Sequence, residues 1–453
     1  MMRRSALVCV LVTSLLGSVT AADPRWAVPR AQPKHPVLPL PASALHRLDS
    51  HAFPAPPSST GCQQTYRLVC YTPDQIRAAY GVTPLLDEGN DGAGRTIAIV
   101  DSYGSPTIEH DLQVFDQAWG LPDPPSIETI TPVGELPAFD PTDTDMAGWA
   151  LETTLDVEYA HLVAPQASIL VVATPVAETE GVAGFPEIEQ AENYVVENGL
   201  ADVISQSLGA AEQTFPSPER LLELRGAFTN AAEHGVTVVA SSGDSGATDF
   251  ENDGTTLFDY PVDSWPSTDP LVTSVGGTRL HLTPAAQRSE PDTTWNDAYG
   301  AGGGGTSTVF SRPSFQDAVS GVVGDHRGTP DIAMSAAVDG GVLVYSSYNP
   351  DDTGWGVVGG TSEAAPMFAG LVALAAQRAD HRLGPINAAL YQLVAQPGSG
   401  IIDVTSGDNS YGDVTGYTAG PGYDLASGLG TVDASRFVPA LAKAARATNW
   451  VEP

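Results

Sequence analysis

Basic residues are scarce in this chain: 20 Lys and Arg stand against 54 Asp and Glu in 453 residues, a formal net charge of -34. Such a surface repels nucleic-acid phosphates, which argues against a nucleic-acid partner. Charged residues make up only 16% of the chain, below the ~25% of ordinary globular proteins. The imbalance therefore comes mostly from missing cations. In acid many carboxylates become neutral and self-repulsion falls. A salt-adapted surface has the same composition, and composition alone does not choose between the two. Cysteine is nearly absent. Cys9 lies in the N-terminal apolar run, which leaves Cys62 and Cys70 as an even pair. Two cysteines without a nearby histidine pair argue against a metal site and for a small disulfide loop in an oxidising compartment. Beyond the N-terminus no long uncharged apolar run occurs. The Ala301-Gly-Gly-Gly-Gly305 run is not a phosphate loop, because no Gly-Lys-Ser/Thr follows it. It reads as a flexible surface turn or as an edge where a peptide backbone approaches closely. The nine histidines are scattered, with no His-Gly-Thr-His turn. Each, His161 included, reads as a surface or core residue.

The first 21 residues read as a secretory signal: Arg3 and Arg4, an apolar run over 6–19, and the small-residue exit Val19-Thr20-Ala21. The run is shorter than the ~20 residues that span a bilayer, which favours cleavage, after Ala21 or Ala22, over a membrane anchor. A secreted monomer, free of the membrane after cleavage, is expected. Residues 22–70 begin with a stretch rich in Pro, Ala and Ser and read as an extended linker or short pro-segment, with order expected from Tyr71. Residues 71–446 then form one domain, and 447–453 a tail.

Strand-like runs at 96–101, 168–173, 203–207, 236–241 and 271–275 alternate with helical patterns at 147–161, 187–197 and 219–234. This alternation predicts an α/β fold of three layers, a mostly parallel central sheet flanked by helices. Chemistry is expected at the carboxyl ends of the strands.

Gly359-Gly360-Thr361-Ser362-Glu363-Ala364-Ala365-Pro366 is a small-residue turn that delivers one serine to the start of an apolar helix. There its oxygen lies near unpaired helix N–H groups and the positive end of the helix dipole. Glu152 and Asp156, four apart in a helical pattern, share one face. Adjacent carboxyls resist double ionisation, so one holds a proton and the pair can exchange protons with a serine in acid. Taken alone the spacing is equally that of two unrelated surface acids. Asp244 ends the strand run 236–241 in a glycine turn. It is either an ordinary turn residue or a neutral acid that donates to an oxyanion.

In this order the residues resemble the sedolisins, the serine-carboxyl peptidases with a subtilisin-like fold. The resemblance covers about 71–444 and includes Tyr71-Thr-Pro-Asp-Gln-Ile-Arg-Ala-Ala-Tyr80, Ser205-Gln-Ser-Leu-Gly209, Tyr260-Pro261, Ser274-Val-Gly-Gly-Thr278 and Thr329-Pro-Asp-Ile332. It implies a secreted, acid-active endopeptidase or tripeptidyl-peptidase acting on proteins or peptides. Ser362 would be the nucleophile, Glu152 its base, Asp156 the residue sharing that proton, and Asp244 the oxyanion donor. It also implies one structural Ca²⁺, held by side chains of Asp403 and Asp424 and carbonyls of Val404, Gly420 and Gly422, six hard oxygens with water. The alternative is a catalytically inactive binding protein on the same fold.

Three features depart from the family pattern. Only about fifty residues lie between the signal and Tyr71, whereas sedolisins carry a large prodomain. Glu363 follows the serine directly; an ionised carboxylate there would oppose the alkoxide, so it is expected protonated or turned away. Asp101, in Ile99-Val-Asp101-Ser102, is read first as a strand-closing residue and second as a further acid of the site.

Overall fold

The computed structural model describes residues 53–283 and 285–445. The expected signal, the first part of the Pro-rich segment and the tail lie outside them. Thr96–Ser102 (β1), apolar on both faces, sits inside the sheet it belongs to. Its companions are Ile127–Ile130 (β2), Ser168–Thr174 (β3), Val203–Gln206 (β4), Thr237–Ser241 (β5), Thr273–Arg279 (β6), Thr293–Thr294 (β7) and Ile332–Ser335 (β8). The order is β7-β6-β5-β4-β1-β3-β2, with β8 also paired to β6. Every pairing is parallel except that of β7 with β6.

Alternation along the strands builds two cores. Ile97, Ile99, Ile169, Val171, Val203 and Val239 face one layer, formed by the helices Ile108–Trp119 (α1), Thr144–Val163 (α2), Thr361–Ala379 (α3) and Ala434–Ala445. Ala98, Val100, Leu170, Val172, Ile204 and Val238 face the other, formed by Phe185–Glu197 and Gly226–Glu233. The expected three layers are present. α2 is buried on all sides from Trp149 to Val163, and its start is fixed by the Asp143 carboxylate, which accepts from the N–H groups of Asp145 and Met146. α2 packs closely on α3 at Gly370, where a Cβ would stand 2.7 Å from Val163 Cβ. Among the described residues no helix is long and apolar enough to cross a membrane.

Two sequence expectations need correction. Residues 53–70, expected to precede the ordered domain, already take part in it. The Phe53 N–H and carbonyl pair with Trp355, the helix Ser59–Tyr66 follows a Ser58 cap, and Cys62 and Cys70 form the expected disulfide. Cys70–Tyr71 then adds a parallel strand beside Gly341–Ser346. A segment without periodicity is thus ordered by partners 270 or more positions away. The helical pattern 219–234 is two helices, Pro218–Leu222 and Gly226–Glu233. The break is stabilised by Arg225, whose guanidinium forks onto the buried Asp269 carboxylate.

Candidate active site

Ser362 is the second residue of α3 and is fully buried. The turn before it depends on glycine twice. Gly360 has φ 134°, a conformation that L side chains rarely adopt. At Gly359 a Cβ would stand 2.7 Å from the Ala336 carbonyl oxygen. Pro366, four residues after Ser362, has no N–H to give the Ser362 carbonyl. Ser362 Oγ itself makes no hydrogen bond to another described residue.

α2 and α3 run in the same direction. Gly370 lies against Ala160 and Val163, and Glu363 is close enough for its charge to raise the pKa of Tyr159, whose largest perturbation is burial. Continued towards the N-termini, this register carries Asp156 and Glu152 to the end of α3 where Ser362 stands. Both acids are fully buried, and so is Asp101 at the end of β1. The three carboxyls form one interacting cluster. Burial, then the charge of Glu152, pushes Asp101 up to about 8. Burial, then Asp101 and Glu152, raises Asp156 well above the carboxylate range, while a 2.9 Å bond from the Ser207 hydroxyl partly offsets the rise. The cluster therefore resists multiple ionisation, and Asp101 and Asp156 are neutral in acid. The strand-closing reading of Asp101 was too weak: its side chain belongs to this cluster.

Asp244 follows β5 and reaches α3 directly. Its Oδ1 accepts from the Thr361 N–H and hydroxyl, both at 2.8 Å, which ties Asp244 to the turn that carries Ser362. Glu363 is turned into the core. Burial, with a smaller contribution from Asp244, raises its pKa well above the carboxylate range, so it is neutral, as the nucleophile's neighbour must be.

The glycine run is not a flexible turn. Gly303 donates to the Gly243 carbonyl at 2.7 Å, and a Cβ on Gly303 would overlap the Ser242 oxygen. Between these backbones lies a small notch lined also by Asp249, Asp263 and Ser264. Burial raises Asp249 above its ordinary range, and burial pushes Asp263 up to about 7. Neutral carboxyls thus edge the notch in acid. Neither acid was singled out in the sequence, where nothing in spacing marks them; the equally buried Glu178 and Glu180 were missed for the same reason.

The expected metal loops converge. Asp403 Oδ2 accepts from the Gly422 N–H and Asp424 Oδ2 from the Gly420 N–H, each at 2.8 Å, and Ser427 reaches both Asp424 and the Val404 carbonyl. Two carboxylates and three carbonyls are an all-oxygen donor set that fits a hard cation. Among the described residues no group of three or more His, Cys, Asp or Glu side chains is arranged to hold a metal ion.

Comparison with known proteins agrees with this arrangement. The model of the subtilase family (Peptidase_S8) matches residues 143–393. Kumamolisin from Bacillus sp. (strain MN-32) is 35% identical over 82% of this chain and 63% of its own length. Sedolisin from Pseudomonas sp. (strain 101) is 33% identical over 76% of this chain and 57% of its own, and tripeptidyl-peptidase 1 from Homo sapiens is 31% identical over 62% and 50%. The chain thus spans less than two thirds of the curated relatives it matches first. The solved structure of Pseudomonas sedolisin, a serine-carboxyl proteinase complexed with pseudo-iodotyrostatin, superposes with a TM-score of 0.70 at 30% identity, covering 84% of this chain and 100% of that one. On the family match and these relatives, the chain belongs to the subtilase family and, within it, to the sedolisins.

Proposed function

We propose that this protein is a secreted, acid-active serine-carboxyl peptidase. The observations that support the reading are the bonding of Asp244 to Thr361, the residue before Ser362 at the start of α3, and a buried trio of carboxyls on α2 and β1. Ser362 Oγ attacks the substrate carbonyl carbon while Glu152 takes its proton. Asp156 shares that proton and is oriented by Ser207. Asp244, protonated at Oδ2, donates to the oxyanion of the tetrahedral intermediate. Collapse gives an acyl-enzyme, the proton passes from Glu152 to the leaving amine, and water reverses the sequence. The Ser362 to Glu152 contact forms on substrate binding, as catalytic hydrogen bonds often do. Glu152 must be ionised and Asp244 protonated, so activity peaks in acid and disappears towards neutrality.

Wild type and Ser362→Ala compared on a denatured protein across pH separate this reading from a silent binding protein. Cleavage in acid, reduced by ~10³-fold or more in the variant, is expected; equal cleavage by both, or a neutral optimum, sinks it.

Ca²⁺ is proposed at Asp403, Val404, Gly420, Gly422 and Asp424, where it would tie the two loops together. Chelation should lower the melting temperature, by roughly 1 °C per kcal/mol lost for a domain of this size, with calcium but not magnesium restoring it. An unchanged melting curve counts against the ion.

A further inference from the structure

A groove of about 670 Å³ outside the site just described opens where the loop after β1 meets the start of α1. Tyr103, His110, Pro137, Phe139 and Met146 line it, so its walls are aromatic and apolar. Its rim is acidic. Glu109 lines it, and Asp145 and Asp143 lie near enough to raise the Tyr103 hydroxyl pKa after burial, the largest cause. One edge, Met146, lies six residues before Glu152 on α2, or about 9 Å along the helix axis. Nothing in the chemistry proposed above uses this groove.

The described chain starts close by. Phe53 pairs with Trp355. Trp355 packs on Tyr345 with ring centres 5.4 Å apart, and Tyr345 on His110 at 6.3 Å. His110, on the groove's wall, therefore lies within about 20 Å of Phe53, a distance that about six extended residues cross. The residues preceding Phe53 differ in charge from the rest of the molecule. Over 22–52 there are four basic side chains, Arg25, Arg30, Lys34 and Arg47, against Asp23 and Asp49, with prolines at 24, 29, 33, 36, 39 and 41. The whole chain has a net charge of -34. Aromatic grooves accept proline-rich segments at low entropic cost, because such segments are already extended. Opposite charge then selects this segment over a second copy of the acidic body.

We propose that the groove is a docking site for this chain's own N-terminal segment, with residues 36–47 along the aromatic walls and Arg47 or Lys34 against Glu109, Asp143 and Asp145.

The assignment needs no turnover and is tested in the full chain carrying Ser362→Ala, so its failure is separable from failure of the peptidase reading. A photo-crosslinking benzoylphenylalanine replaces Phe139, and the products are mapped by mass spectrometry. Crosslinks within one chain to residues 36–47, with a yield independent of protein concentration and reduced several-fold in Asp143→Asn/Asp145→Asn, are expected. Crosslinks only between two chains, only to other segments, or with a yield unchanged in the double variant overturn it. If the bulky probe perturbs folding, Met146→Cys paired with Leu45→Cys provides a second readout: a disulfide forms within one chain if the segment docks, and none forms if it does not.

Discussion

At the scale of single residues, the site turns on which carboxyl holds the charge. Asp101, Glu152 and Asp156 are all excluded from water, and low dielectric makes a second negative charge expensive. The assignment of that one charge to Glu152 gives a sharp contrast between two isosteric changes. Glu152→Gln removes the base and should lower kcat/KM by ~10²–10⁴. Asp101→Asn replaces an already neutral acid by a neutral amide and should cost less than ~10-fold in acid. Parallel pH profiles of the two variants check this, and loss confined to Asp101→Asn would transfer the base to β1. In the sequence, Glu152 and Asp156 were legible only through their order with Asp244 and Ser362. Asp101 was visible as a strand-end aspartate, but its membership of the cluster depends on α2 running back across β1, so that the helix's C-terminal end meets the residues before the strand and its N-terminal half meets the strand's end. Ser207 lay in a quoted segment with no sign of its bond to Asp156, because that pairing crosses fifty-one positions.

At the scale of elements, the decisive contact is α2 against α3. Both helices are apolar nearly all round, as befits helices enclosed between a sheet and further helices. Gly370 sets their separation, with Ala160 and Val163 directly opposite. Gly370→Val forces a branched side chain into a closed contact and should destabilise the fold by about 1–3 kcal/mol. Because the same spacing positions Glu152 against Ser362, kcat should fall as well. Denaturant midpoints together with kcat at a permissive temperature measure both, and a variant with wild-type stability would refute the close packing. Four of the five expected strands were legible to within one residue, because continuous apolar runs dominate them, and the fifth, expected at 271–275, is Thr273–Arg279. The break in 218–234 was not legible, because it depends on Arg225 finding Asp269 and on Gly226 lying against Glu189.

At the scale of the whole molecule, many acids sit where water does not. Burial is the first cause of the raised pKa of Asp101, Asp156, Glu158, Glu178, Glu192 and Glu363. A carboxyl whose folded pKa exceeds its unfolded value binds its proton more tightly when folded. Its stabilising contribution is complete below the unfolded value, near 4, and is lost as pH rises through the folded one, about 8 for Asp101. The melting temperature should therefore fall by ~5 °C or more between pH 4 and pH 8, reinforced by repulsion within a chain of net charge -34. Scanning calorimetry in low-salt buffers at fixed ionic strength measures it. A flat or rising curve would show that these groups are ionised at little cost in the fold.

The sequence alone determined the alternating α/β layers, the serine at a helix start, the ordered acids and the Cys62–Cys70 loop, because each is written in local periodicity, turn chemistry or short spacing. Only the tertiary structure decided that Asp101 joins Glu152 and Asp156, that Glu363 turns inward as a neutral acid, and that residues from Phe53 onward belong to the body. These depend on contacts between distant segments, and the energy of a buried charge is set by what surrounds it in space rather than by its neighbours along the chain.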